Sequence, residues 1–398
     1  QATGGTPERN VQKVIELMGG IDKFIGKNDI IVLKPNAQWW NQGMTNTDAM
    51  KGFIDLVLSI PEFSGEIIIA ENHQYQAHDS RGWSTKERNG KYNLNELVEH
   101  YHKNGHRNVS KYHWRAAGKC SVPLEGDAQG NSRVNGPEDG DGYVWMEECS
   151  YLSPSGRKCV MSYPVFTSPH SGITVDLKNG AWKKGAYLST IKVRFINFSA
   201  LNHHSWYCGV TASVKNLMGV VDMTCGFPGD APKGTYNVHH IGVSKLKMMT
   251  RQRFVWRIWR SEVFKKYCYR NFHHTGGALG YFMRNVSIPD LNIITAEWVG
   301  WGDRIILDRS FQANTILASR DPVALDYIAA RDVLLPATPS DALDSQSGYR
   351  YKELNNPDIG DGPLRRFLRE THNQGIGNLS KGKIRLVSHR FKNSIESA

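Results

Sequence analysis

The chain has 398 residues, with 49 Lys and Arg against 38 Asp and Glu, so its formal net charge is +11 with His neutral. Its 40% hydrophobic and 22% charged content is that of a soluble globular protein, and no apolar run approaches the roughly 18 residues of a membrane span. A basic surface favours anionic partners, whether small acids, phosphates, an acidic protein or a lipid face, and no nucleic-acid-binding motif accompanies it.

In chain order, NVQKVIELMGGIDKFI predicts a helix that stops at Gly19-Gly20. DIIVLKPN predicts a buried strand running into Lys34, Pro35 and Asn36. NTDAMKGFIDLVLSI predicts an amphipathic helix capped by Asn46 or Thr47. GEIIIAENH predicts a second buried strand ending on Glu71, Asn72 and His73, and NLNELVEHYHKNGH a further helix. Strands alternating with helices imply a parallel sheet covered by helices. Residues 116–190 are rich in Gly, Asp and Ser, with alternating runs such as GYVWMEEC and KCVMSYPVF, and predict an antiparallel insertion.

TIKVRFINFSAL resumes the buried-strand pattern and leads into LNHHSWYCGVTASVKNLMGVV, where a helix is expected to start near Gly209-Val210-Thr211 and to carry Lys215 and Asn216. CGFPGDAPKGTYNVHHIG is a long Gly/Pro loop containing Lys233, His239 and His240. KLKMMTRQRFVWRIWRSEVFKKYCYR is basic, with Val255, Trp259, Val263 and Tyr267 on one helical face. Such a helix docks an acidic partner or a membrane surface, or simply packs on its own domain. DLNIITAEWVGWGDR predicts a strand, NTILASRDPVALDYIAARDVLL a strand and a helix capped by Asp321, with Asp326 left open, and GKIRLVSH a last strand.

Cys120, Cys149, Cys159, Cys208, Cys225 and Cys268 are scattered. No spacing suits a c-type haem or a conventional iron–sulfur cluster. A hairpin around SYLSPSGRK would bring Cys149 and Cys159 together for a disulfide; otherwise the cysteines are reduced. The chain starts at Gln1 rather than Met, as a cleaved export signal or a trimmed terminus would leave it. With an export signal the expected location is periplasmic or secreted.

Three blocks, IIVLKPN, GVTASVKNLMG and ILASRDPVALDYIAARDVL, resemble those of the DUF362 family, over roughly residues 29–377. Its members show a strand ending Lys-Pro-Asn, a Lys-Thr-His … Gly-Val-Thr … Lys-Asn-Leu-x-Gly segment and a late Asp-Pro-Val-Ala-x-Asp helix start. Thr211, Lys215 and Asn216 match directly, and Lys233 and His239 are nearest to a family loop lysine and histidine. Where relatives have Lys-Thr-His, this chain has Asn202-His203-His204, which leaves the family lysine without a counterpart. Many relatives carry an export signal or a ferredoxin-like cluster domain; no cysteine pattern here supports the second.

The expected fold is α/β, a mainly parallel mixed sheet flanked by helices with an antiparallel β-rich insertion. Residues 1–115 and 191–398 would form two portions of the core, the second with a basic helical segment at 245–272, around the insertion 116–190. Polar groups at strand carboxyl ends sit where open α/β sheets bind ligands. The expected catalytic residues are His203, His204, Lys215, Asn216 and His239. Lys34, Asn36, Glu71, Asn72, His73, Thr211 and Lys233 would bind substrate. His204 and His240 are candidate ligands of a divalent metal, with Cys208, Glu71 or Asp303 able to complete the set; the cofactor is otherwise unknown. These groups suit an exported enzyme acting on a small anionic molecule. The alternatives are a binding or assembly protein that docks an acidic partner through residues 245–270, and an accessory to redox enzymes.

Overall fold

The computed structural model describes residues 1–37, 43–73, 88–116, 132–154, 156–222, 274–302, 307–345 and 347–392, with Trp83, Lys86, Val238 and Ile241. The chain opens with β1 (Ala2–Thr3) and α1 (Pro7–Leu17), and α1 ends before Gly19 and Gly20, whose φ of +100° and +94° stop a helix. Then come β2 (Ile30–Lys34), α2 (Thr47–Leu58), β3 (Glu66–His73), α3 (Leu94–Lys103) and β4 (Val109–Ala116). Asn46 caps α2 by accepting from Ala49 N at 2.9 Å. Asn93 and Glu96 form a reciprocal capping box on α3.

The insertion supplies β5 (Ser132–Val134), β6 (Gly142–Leu152), β7 (Lys158–Thr167), β8 (Thr174–Asp176), β9 (Gly180–Lys183) and β10 (Ala186–Tyr187). They form a sheet of their own, antiparallel except where β5 meets β6. The β6–β7 hairpin is present, but a register shift between Met146 and Ser150 places Tyr151, not Cys149, opposite Cys159. Both cysteines are free thiols, and the disulfide alternative is set aside: the shift leaves Cys149 against the Tyr281 hydroxyl at 3.9 Å.

The chain returns through β11 (Val193–Ser205), β12 (Gly209–Thr211), α4 (Ser213–Asn216), α5 (His274–Asn285), β13 (Leu291–Gly300), β14 (Ser310–Ser319), α6 (Pro322–Ala329), α7 (Pro363–His372) and β15 (His389–Arg390). Two expectations change. Gly209–Thr211 does not begin a helix: it pairs back on β11 as an antiparallel strand, as its β-branched residues favour, and the helix is four residues long. The expected last strand contributes only its end to β15, with a 3₁₀ turn at Lys381–Lys383 before it.

The main sheet runs β15-β1-β14-β13-β11-β2-β3-β4. It is parallel from β13 to β4, with β14 antiparallel to both its neighbours. Along β2 the side chains alternate between two cores, Ile30 and Val32 to one face, Ile31 and Leu33 to the other. The first face is covered by the insertion sheet and by α5, α6 and α7, the second by α1, α2 and α3. β2 leads through α2 on the second face to β3, whereas its neighbour β11 leads through α4 and α5 on the first face to β13. The crevice between the carboxyl ends of β2 and β11 is therefore a topological switch point, the usual ligand position in open α/β sheets. Among the described residues no helix is long and apolar enough to cross a membrane.

Candidate functional site

Lys34 is the last residue of β2 and is fully buried. Its ammonium donates to Glu71 Oε1 at 2.6 Å, to its neighbour's carbonyl, Pro35 O, at 2.6 Å, and to Asn216 Oδ1 at 3.0 Å. Three acceptors meet three N–H donors, the complement of a charged lysine. Glu71 accepts from Ala37 N at 2.5 Å through its other oxygen. Burial lowers the proton affinity of Lys34 and raises that of Glu71, and each partner's charge opposes the shift on the other.

From Lys34 the network runs inward. Asn216 Nδ2 donates to Asn197 Oδ1 at 2.8 Å, and Asn197 Nδ2 donates to Ser213 Oγ at 3.1 Å and Asn292 Oδ1 at 2.9 Å. Asp326, on α6, accepts from Ser213 N at 2.7 Å and Val214 N at 3.0 Å. The N-terminal N–H groups of α4 thus hold a carboxyl group of the protein itself. Burial pushes the Asp326 carboxyl up to about 8, against the two backbone hydrogen bonds that hold it down. The three sequence blocks are consequently one buried network: Lys34 from the first, Ser213 and Asn216 from the second, Asp326 from the third.

Gly219, which closes the second block, lies on the ion pair. A Cβ there would come within 2.6 Å of Glu71 Oε1 and 2.7 Å of Lys34 Cε. Gly219→Ala is expected to cost about 1–3 kcal/mol by overpacking, measured as a lower denaturant midpoint with an unchanged m-value.

Around this network, Asn36 is held by a hydrogen bond from its N–H to Thr45 Oγ1 at 2.7 Å. Asn72 donates to Val221 O at 2.7 Å and Tyr143 Oη at 3.4 Å, and its buried Oδ1 has no donor among the described residues. His73 ends β3. Thr211, buried, pairs with Asn202 across the β11–β12 hairpin.

His203 and His204 are successive residues of β11, so their side chains leave opposite faces. His203 Nδ1 is hydrogen-bonded to Asn355 Oδ1 at 2.9 Å, and the ring stands edge-on to Tyr351 with centroids 4.7 Å apart. His204 is half-buried beside the register shift between His203 and Ser205.

Lys215 is only 5% exposed. The neighbouring group that acts on its amine is the Cys208 thiol, whose sulfur lies 2.9 Å from Ser205 Oγ. Burial lowers the Lys215 pKa to about 8, with Cys208 opposing the shift. Among the described residues no carboxylate pairs with this ammonium. The structure thus joins Lys34, Glu71 and Asn216 directly and sets Lys215 against Cys208 rather than against either histidine.

Lys233, His239, His240, Asp303 and residues 245–272 lie outside the described residues. Among the described residues no group of three or more His, Cys, Asp or Glu side chains is arranged to hold a metal ion. The sequence reading passed over Asn197, Ser213, Asn292 and Gly219, all of which serve the network. A buried Asn in a strand, as in VRFINF, was the available signal, since a buried amide demands partners.

Searches of curated proteins and of solved structures found no match to the chain. The comparison with family models covers the second block and the third as far as Arg331, but not the first, although Lys34 of the first is bonded to Asn216 of the second. Residues 167–331 match the family described as "Domain of unknown function (DUF362)".

Proposed function

We propose that the protein is an enzyme that takes a small anionic molecule at the carboxyl end of β11, with Lys215 as its anion-holding and proton-transferring group. One observation carries this reading: Lys215 is a buried cation with a thiol, and no carboxylate, beside it among the described residues. A buried charge without a counter-charge is costly to the fold, and an anionic ligand would supply the missing partner. An amine of pKa about 8 also holds a usable fraction of its free base near neutral pH, as general base catalysis requires. Lys34 and Asn216, whose hydrogen bonds are taken within the protein, act as positioning residues for α4. A location outside the cytoplasm belongs to the same proposal and is tested by fractionating cells that express the chain.

The test is a thermal-shift screen of the full chain against inorganic phosphate, sulfate and a set of mono- and dicarboxylates, run in parallel on Lys215→Met. The expected result is that at least one anion raises the Tm of the wild type and leaves the variant unmoved. Lys215→Met itself should gain up to about 3 kcal/mol at neutral pH, because a folded pKa below the unfolded one means the ammonium opposes folding. The sign is specific: the wild type recovers stability as pH rises from about 8 to 10.5, the variant does not. Equal stabilisation of both proteins by every anion, or none of either, would sink the reading.

A further inference from the structure

A second site lies on the opposite face of the sheet. β1 ends at Thr3, and the chain turns through Gly4 and Gly5 into α1, whose N-terminus stands near that of α2 at the carboxyl end of β13. Between them is a cavity of about 510 Å³. Its lining includes Asp48, Arg88, Glu297, Trp298 and Asn314.

Glu297 is 4% exposed. Its Oε1 receives one long hydrogen bond, 3.4 Å from Asn10 Nδ2, and Asn10 is held more closely by Gly5 O at 3.1 Å and Asn314 O at 3.0 Å. No donor among the described residues reaches Oε2, on the carboxyl group that lines the cavity. Asp48 is differently placed, since both its oxygens accept from Lys91 N at 3.0 Å. Glu8 and Asp48 add negative charge near Glu297, and burial raises its pKa to about 7. The guanidinium of Arg88, an exposed residue, lies over the Trp298 ring at 5.1 Å from its centroid. A buried carboxyl with an open oxygen and an arginine therefore line one cavity, together with the Trp298 ring under the guanidinium.

We infer that this cavity binds a small zwitterion, an ammonium group donating to Glu297 and a carboxylate on the same molecule accepting from Arg88. An ammonium supplies the donor that Oε2 lacks, and its charge answers that of Glu8 and Asp48. A guanidinium offers two parallel donors to a carboxylate. This inference stands apart from the Lys215 reading, which concerns the other face of the sheet.

The experiment is isothermal titration of the full chain with ω-amino acids, from glycine through aminobutyrate to aminohexanoate, with butylamine and butyrate as single-charge probes. The wild type should bind one ω-amino acid at least about tenfold more tightly than either single-charge probe. Glu297→Gln, nearly isosteric, should lose at least about tenfold in affinity for that amino acid and for butylamine. Arg88→Ala should weaken the amino acid and leave butylamine unchanged. Circular dichroism and Tm of both variants establish that they fold. Butylamine binding as tightly as the amino acids overturns the carboxylate half of the inference, and butyrate binding best overturns the ammonium half. No binding by any probe at millimolar concentration, with both variants folded, overturns it entirely.

Discussion

Glu71→Ala is expected to destabilise the protein by about 3–5 kcal/mol, because it strands a buried lysine without its counter-charge. Lys34 has no exposed surface, and its other two acceptors, Pro35 O and Asn216 Oδ1, are neutral. The Glu71 side chain also anchors the Ala37 N–H, so its loss leaves that N–H without its acceptor. The residues before α2 are tied down by Thr45 Oγ1 donating to Phe198 O at 2.6 Å and Asn46 N to Thr295 Oγ1 at 3.0 Å. Urea denaturation would read the loss as a lower midpoint. The double variant Lys34→Met with Glu71→Leu separates pairing from packing: replacing both charges by apolar groups of similar volume should recover most of the stability. If Glu71→Ala is as stable as the wild type, the pair contributes nothing and the network has been misread.

Asp326→Ala is the second large effect. It leaves Ser213 N and Val214 N buried without acceptors, at about 1–3 kcal/mol each. The expected total of roughly 2–6 kcal/mol would appear in the same denaturation measurement. α4 is too short to hold its own shape, so it would be lost with its cap, and the Asn216 contact to Lys34 would loosen. A pH series adds a signature. Folding raises the Asp326 carboxyl from 3.8 to about 8, so the native state binds the extra proton and the wild type loses stability as pH rises through that window. Asp326→Asn, which keeps one acceptor oxygen, should be less stable at low pH and should lack this slope. A wild type whose stability relative to Asp326→Asn climbs from pH 4 to pH 8 would contradict the assignment.

Much of the fold was legible because its signals are local. The Gly19-Gly20 stop, the Asn46 and Asp321 caps, and the apolar runs of β2 and β3 each lie within a few residues of the structure they cause. The character of the insertion was legible too, through the alternation in β6 and β7. The α4 region was not. Gly209-Val210-Thr211 looked like a helix start because a helix does follow, but its partner across the hairpin, Asn202, makes it a strand. The cap of α4 comes from Asp326, more than a hundred residues away, and no local pattern can announce a cap of that kind. Lys34 read as a ligand-holding lysine because its acceptors, Glu71 and Asn216, are brought to it only by the folding of β3 and α4. Cys208 drew notice as a metal ligand, whereas its neighbour in space is Lys215, which a hairpin returns to it. Glu297 sits in a strand that read as purely structural, and its setting depends on elements as distant as Asn10 and Asp48.

The placement of β1 bears on the order in which the molecule assembles. β1 lies between β14 and β15, with Ala2 opposite Ile316 on one side and His389 on the other. Neither partner exists during synthesis until residues 310–319 and 389–390 have been made, so this edge of the sheet is a late event, with the slow closure that distant pairings impose. The cavity floored by Glu297 is walled by Gly4 to Pro7, directly after β1. It cannot be complete before that edge has closed. A ligand held there would bind only after β1 has joined the sheet, and would draw that step forward by mass action.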